Sequence, residues 1–398
     1  MLFLIVSTLI KFVVFGLLFT LPMATILTWM ERRQSAYSQD RRGPERAHFL
    51  TVGGKPLTLF GLLHPLADGL KTFFKEPFVP GVADATMFKV APLIGFVTAF
   101  GVLAMIPFGP DIATSFGNLP LQITRLDAGI LIIFAISSLS IYGVVMAGWA
   151  SGSRFAMLGG LRAAAQALSY EIALGLTVVG VLIIFGSTEL SQIVLAQDGL
   201  IFGLLPRWGI FYQPLAAVLF LTAAMAETKR TPFDMPEAES EIIGYFLEYS
   251  SMDFGLFMLT EFIEVVLLSA VFTTLFLGGW QLPWVLGDHS LYVGFASLDI
   301  GPWLHGILGF LIFGFKVFLC CIFQLQVRWS STRFRYDQLM NLGWKMLLPL
   351  ALFNIFITAV LTWLDPGLNL LASISLLMIG LFVLVVIAGP KRHLAVEH

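Results

Sequence analysis

The stretch AETKRTPFDMPEAESEIIGYFLEY, residues 226–249, gathers Glu227, Asp234, Glu237, Glu239, Glu241 and Glu248 in a chain that is only 12% charged. It falls between two long apolar runs, one ending near Ala224 and one beginning near Phe254. Acids held at the mouth of an apolar bundle are costly to keep, and they point to proton handling or ion attraction. Pro232 and Pro236 break any continuous helix, so the spacing predicts an irregular loop. Carboxylates as close as Glu237, Glu239 and Glu241 resist ionising together and share protons instead. The plainer alternative is a solvated acidic loop that binds a basic partner.

Further ionisable groups fall inside apolar runs: Glu171, Glu261, Glu264 and Lys316, with Lys11 nearer one end, where its long stem can snorkel. Glu261 and Glu264 are three apart and share a helix face. A chain of carboxylates and a lysine through a bundle is a proton relay in outline, and simple pairing inside the bundle is the other reading. Of these acids Glu261 and Glu171 are expected to matter most, with Glu264 contributing less.

The elements that must position these groups follow from composition. Apolar residues make up 58% of the chain, aromatic residues 14%, and the mean hydropathy is +0.88. Apolar runs of about 17–25 residues can each cross ~30 Å of hydrocarbon, and there they must be helices. Nine are expected, at 3–30, 90–107, 128–150, 167–186, 212–226, 254–277, 304–325, 346–364 and 370–389. The fold class is an all-α integral membrane protein, with residues 1–398 as one domain. The first run lacks a basic start and is followed by Arg32 and Arg33, so it reads as a retained helix rather than a signal peptide.

Positive charge orients the bundle. With the N-terminus outside and the C-terminus inside, the inner segments carry nearly all of the 23 Lys and Arg residues, and the outer segments only Arg125 and Arg207. The inner loops are then 31–89, 151–166, 227–253 and 326–345. Within the first, residues 58–76 place Leu59, Leu62, Leu63, Leu66, Leu70, Phe73 and Phe74 at helical spacing, an amphipathic interfacial helix interrupted near Pro65. The basic stretches 30–47 and 327–345 can bind headgroups, a partner or a polar ligand, or act as positive-inside anchors. Cys320 and Cys321 are adjacent, the six histidines are scattered, and no Gly-rich nucleotide loop follows a strand. No metal, haem, iron–sulfur, NAD or ATP site is expected on this chain, and no nucleic-acid partner.

Several separated motifs carry a family resemblance. They are Glu31-Arg32-Arg33 with Gln39, Arg41, Gly43 and Pro44; Pro65–Lys71 with Lys75-Glu76; Gly148-Trp149-Ala150-Ser151; Leu168-Ser169-Tyr170-Glu171; AETKRTPFDMPEAESE; Glu248-Tyr249-Ser250; and Arg333–Met340. In this order the chain resembles the H-type membrane subunits (also called subunit 1) of respiratory complex I, the proton-pumping NADH:quinone oxidoreductase, from the first helix to about residue 360. The resemblance implies an energy-transducing membrane, the bacterial cytoplasmic membrane, and a quinone substrate. It also implies membrane-arm and hydrophilic-arm partners that carry FMN and the iron–sulfur clusters. Carried over motif by motif, Glu31, Arg32, Arg41, Phe233, Asp234, Arg333 and Arg335 fall at the quinone chamber. Glu171, Glu227, Asp234, Glu237, Glu239, Glu241, Glu248 and Glu261 fall on the acidic proton route. The chain departs from the family pattern at several places: it is one residue shorter between Glu241 and Gly244, has Asp253 where a basic residue is common, and has Ser330-Ser331-Thr332 before Arg333. The 278–303 segment is extended, and the final helix is not shared by every member. The corresponding component of a membrane-bound hydrogenase and a free-standing ion transporter are the competing readings. The charge gathered at one face, rather than at the midplane, separates the transporter from the other two.

Overall fold

Hydrocarbon offers backbone groups no water, so each apolar run closes its hydrogen bonds within itself. The chain is accordingly about 72% helical. The computed structural model describes residues 2–48, 51–52, 55–56, 58–114, 117–236, 244–282, 286–287, 290–293, 296–299 and 301–388.

The first span is α1 (Leu2–Phe12), which continues through a π-helical stretch (Val13–Thr20) into α2 (Leu21–Ser38). Then come the short α3 (His64–Phe74), α4 (Ala85–Leu103), and α5 (Gly129–Ser138) with α6 (Ser140–Ala150), broken only at Leu139. The long α7 (Arg154–Phe185) and the short α8 (Leu190–Ala196) and α9 (Gly209–Tyr212) lead to α10 (Pro214–Glu227). Next are α11 (Ser251–Phe276), α12 (Pro302–Ser330) and α13 (Tyr336–Asn341). A second π-helical stretch (Leu342–Leu347) leads into α14 (Leu348–Leu364), and α15 (Asn369–Ala388) follows. Short antiparallel hairpins fill several connections; in one, Ile112 pairs with Leu119.

Among the described residues, seven helices are long and apolar enough to cross a membrane, and Pro214–Glu227 and Asn369–Phe382 are shorter apolar helices. These nine segments overlap the nine expected runs. The boundaries differ in one consistent way. Residues 154–166, expected within an inner loop, are the opening turns of α7, and α2 extends past residue 30 to Ser38. Arg154, Arg162, Gly159 and Gly160 lower the local hydropathy without preventing helix formation. A helix of this length measures ~48 Å and outruns the ~30 Å hydrocarbon core, so its basic turns emerge from it.

The amphipathic helix is α3, with Pro65 in its first turn, where a missing N–H costs nothing. Its two ends are tied to the bundle. Asp68 pairs with Arg32 on α2. The Ser251 hydroxyl that opens α11 donates to the carbonyls of Thr72 (3.0 Å) and Lys75 (2.7 Å).

At the other end of α11 the freed carbonyls meet Lys316 of α12. Its ammonium donates to Leu277 (2.7 Å), Gly279 (3.0 Å) and Gln281 (2.6 Å) and lies 4.3 Å from the Trp208 ring centroid. This is a cation closing a helix C-terminus, which satisfies carbonyls and opposes the helix dipole. All three of its donors are engaged there, so Lys316 caps the end of α11.

The break between α9 and α10 is handled similarly. Gln213 donates to Thr358 (2.5 Å) and accepts from Asn354 (2.6 Å) of α14, while Ser375 of α15 donates to the Tyr212 carbonyl (2.7 Å). Asp365, between α14 and α15, accepts the Gly367 and Leu370 N–H groups at 2.9 Å each, and those bonds hold its carboxyl below the usual range.

Orientation is testable at exposed positions. Val82 is 85% exposed in a segment expected inside, and Leu204 is 75% exposed in one expected outside. In sealed vesicles of known sidedness, a cysteine at Val82 should react with an impermeant maleimide from the inner face only, and one at Leu204 from the outer face only. The reverse pattern would invert the topology. Cys320 and Cys321 are buried and should give little background.

Candidate functional site

The acidic stretch takes its shape from how α10 ends. Thr228 caps the helix and Lys229 follows with φ +54°, the left-handed conformation that stops a helix. A turn then brings the Phe233 N–H to the Arg230 carbonyl at 2.8 Å. The expected irregular loop is present from residue 228 to Pro236. Two α7 residues fix its position. Gln166, fully buried, donates through its amide to the carbonyls of Ala226 and Phe233, both at 2.7 Å. Gly159 has no side chain where Tyr245 N, Gly244 C and Pro236 O would lie 3.0, 3.1 and 3.3 Å from a Cβ. Both ends of the acidic stretch therefore rest on one helix.

Asp234 pairs with Arg333 at 2.6 Å, and the Phe334 N–H donates to the Pro232 carbonyl at 3.0 Å. Phe233 is buried against Tyr170 and Phe334, with ring centroids at 5.9 and 5.5 Å. The Tyr170 hydroxyl donates to the Leu339 carbonyl at 2.9 Å, closing the wall.

Charge is organised around four cavities. An open one of about 380 Å³ is lined by Glu31, Arg32, Ser35, Arg41, Gly43, Pro44, Arg328 and Trp329. Glu31 and Arg328 also belong to a narrow inner cavity of about 30 Å³ that includes Arg230, Gln324 and Cys321. Glu31 divides the two. One of its oxygens takes Arg328 at 2.7 Å and the other takes Arg230 at 2.9 Å. Arg230 stacks 4.0 Å over Phe262, and its second nitrogen lies 3.7 Å from Glu261. Glu261 is 4% exposed and accepts from the Tyr245 hydroxyl at 3.3 Å.

Glu261 and Glu264 then line a small cavity with Lys229 and Tyr245. Glu264 continues into a fourth, of about 40 Å³, with Glu227, Glu171, Thr98, Ser137 and Ser140. That volume holds about two waters. The geometry follows from helix periodicity. Phe257, Thr260, Glu261, Glu264, Leu267, Leu268 and Val271 recur at the spacing of one α11 face, and every one of them lines one of the two cavities. Ser137 and Ser140 flank the α5–α6 break, which brings hydroxyls to the same space.

Residues 10–359 match the family model described as NADH dehydrogenase. The H subunit of NADH-quinone oxidoreductase from Flavobacterium psychrophilum is 40% identical over 90% of this chain and 97% of its own length. Its counterpart from Syntrophotalea carbinolica is 43% identical over 86% and 93%. The one from Thermomicrobium roseum is 42% identical over 90% and 96%. The chain belongs to the NADH-quinone oxidoreductase H-subunit family. It is a multi-pass membrane member of that family, as its apolar helices require.

Against the positions carried over from the H-subunit pattern, Glu31, Arg32 and Arg41 share the open cavity, and Phe233, Asp234 and Arg333 form one packed wall. Arg335 stands apart. It is 78% exposed and pairs at 2.9 Å with Asp337, itself exposed. Glu171, Glu227 and Glu261 are joined by the cavities just described. Glu248 lies partly buried in the turn before Tyr249, whose phenol is pushed above its usual range by burial. Glu237, Glu239 and Glu241 fall outside the described residues. Sequence reasoning passed over Arg230, Arg328, Tyr245 and Gln166, and it ranked Glu264 low although that residue joins two cavities. For Gln166 there was a faint signal: an amide among the small residues of an apolar helix.

Replacing Gln166 with leucine should remove two buried hydrogen bonds and leave the Ala226 and Phe233 carbonyls only their backbone donors, Lys229 N–H at 3.3 Å and Met235 N–H at 3.1 Å, at about 1–3 kcal/mol. Faster heat inactivation of the assembled complex, compared with wild type, is the expected reading. Gly159→Val should act the same way, because its new atoms meet backbone that cannot swing aside.

Proposed function

We propose that this chain is the membrane subunit of a proton-pumping NADH:quinone oxidoreductase. In this reading it supplies part of the quinone chamber and the first acids of the proton route, in a bacterial cytoplasmic membrane. The observation that carries the reading is the unbroken line of charge from the open inner-face cavity to the buried acids: Glu31, Arg230, Glu261, Glu264, then Glu227 and Glu171. A cavity of about 380 Å³ with arginines and a tryptophan in its wall suits a polar headgroup with an apolar ring, and it falls within the usual range for small-molecule sites. Quinone comes to this chain from the names of its relatives, and lipid and the redox-active partners from the motifs that carry the family resemblance.

The chemistry divides accordingly. A quinone that accepts electrons becomes basic and takes up protons, so negative charge appears, and is then removed, beside the Glu31 wall. Arginine suits that wall because it stays charged and holds a carboxylate with two parallel donors. The acids behind the wall pass protons between carboxyls that line two small cavities. Asp234, held by Arg333, shapes the chamber side of the loop.

Glutamine keeps the shape of glutamate but cannot give up a proton. In assembled complex reconstituted in vesicles, Glu261→Gln and Glu171→Gln should lower quinone-linked proton uptake by about tenfold or more. That is less than the ~10²-fold typical of losing a single general acid, because neighbouring carboxyls share the path. Glu264 lines two of the cavities, so Glu264→Gln is expected to lower uptake to a similar extent. Wild-type turnover and uptake in all three would leave these acids structural.

The two chamber arginines should separate. Arg333→Ala removes the 2.6 Å ion pair that holds buried Asp234 and should impair quinone reduction, while reduction of an upstream artificial acceptor persists. Arg335→Ala, at an exposed pair worth at most about 1 kcal/mol, should do little.

A further inference from the structure

The two halves of this site meet at one side chain. Arg230 leaves α10 just past its capped end, lies flat on Phe262, and presents two different nitrogens to two different carboxylates. Nη1 is 2.9 Å from Glu31, on the wall of the open cavity, and Nη2 is 3.7 Å from Glu261, on the stripe of buried acids. Glu31 is held on its other oxygen by Arg328 at 2.7 Å, and Arg328 itself lines the open cavity. Tyr245 holds Glu261 from the opposite side at 3.3 Å.

We propose that Arg230 is the positioning residue through which a change of charge in the open cavity is felt by the buried acids. Its guanidinium is shared between Glu31 and Glu261. Negative charge developing in the open cavity draws Arg328 toward it and leaves Glu31 to Arg230. The guanidinium then moves toward Glu31 and away from Glu261. When that charge is neutralised, Arg328 returns to Glu31 and Arg230 is again divided between the two acids. No bond to carbon or oxygen forms or breaks in Arg230, and no proton leaves it. It changes which carboxylate it balances, and the protons move among the acids.

The planar fork is essential to this role. A lysine at the same place keeps the charge but is a point donor and cannot span both carboxylates. Arg230 differs here from Lys316, whose ammonium is fixed on three carbonyls, and from Arg125, which joins Asp111 and Glu189 at the far end of the bundle.

The inference rests on the reading that Glu261 lies on the proton route, and the test separates the two. Arg230→Lys, Glu31→Gln and Glu261→Gln are made in the whole complex and reconstituted in sealed vesicles, with quinone reduction and proton uptake recorded together. The readout is protons moved per quinone reduced. A merely structural fault lowers both rates in proportion and leaves this ratio unchanged. Arg230→Lys should lower the ratio by about threefold or more, whatever turnover remains, because charge without the fork does not couple the two carboxylates. Glu31→Gln should lower it too, although Arg230 is intact. Adding Glu31→Gln to Arg230→Lys should cost little further, since residues that act as one unit are not additive.

A wild-type ratio in Arg230→Lys together with a lowered one in Glu261→Gln overturns the role of Arg230 and leaves the acidic route standing. A wild-type ratio in Glu261→Gln overturns the route itself. Proportional loss of both rates in Arg230→Lys, with full additivity in the double variant, makes Arg230 an ordinary structural ion pair.

Discussion

A guanidinium set into an apolar wall has to be answered by carboxylate, and Arg230 is answered from two helices at once. That requirement brings α2, which carries Glu31, against α11, which carries Glu261, across the end of α10. Arg328 repeats it from α12. Breaking a buried pair by removing one partner costs more than never having formed it, about 3–5 kcal/mol, so these contacts fix helix positions as firmly as packing does. The apolar core then fills in around them. Phe15 stacks on Phe108 at 4.3 Å and Phe88 on Tyr249 at 3.9 Å. Glycines on α6 and α7 let backbones approach where a side chain would collide; a Cβ on Gly148 would meet the Ala156 carbonyl at 2.7 Å.

Much of this was legible from residue order alone. Hydropathy locates the spans because burial in lipid is a property of composition over some twenty residues, which a linear reading can sum. It fails at the ends of α2 and α7, where helix formation continues after hydrophobicity stops. The start of α7 illustrates the point: Arg154 and Arg162 argue for water, yet both lie in regular helix. Pro65 and the Leu/Phe spacing gave α3 close to its observed position.

The site was legible in its members but not in their pairing. Glu31 and Arg230 stand 199 positions apart, and no periodicity links them. The apparent equivalence of Arg333 and Arg335 in one motif dissolved for the same reason. An acid across the chain, Asp234, pairs with the first, while among the described residues the second pairs with its neighbour Asp337. Lys316 looked like a charge in search of a counter-charge. It is instead answered by neutral carbonyls at a helix end, a partner that every sequence contains and none advertises.

The last helix carries a different kind of consequence. The family match stops at residue 359, so α15 reads at first as an appendage. Yet Ser375 supplies the donor for the Tyr212 carbonyl, freed where α9 breaks before α10, and Leu371 and Ala372 pack with Tyr212 in one cluster. Once a side chain of α15 satisfies a carbonyl in the rest of the bundle, the bundle depends on it. A kink that would otherwise be penalised by lipid can be kept, and the two features become mutually locked. A change at the tail of this chain is therefore felt at a distance, by a carbonyl 163 residues earlier.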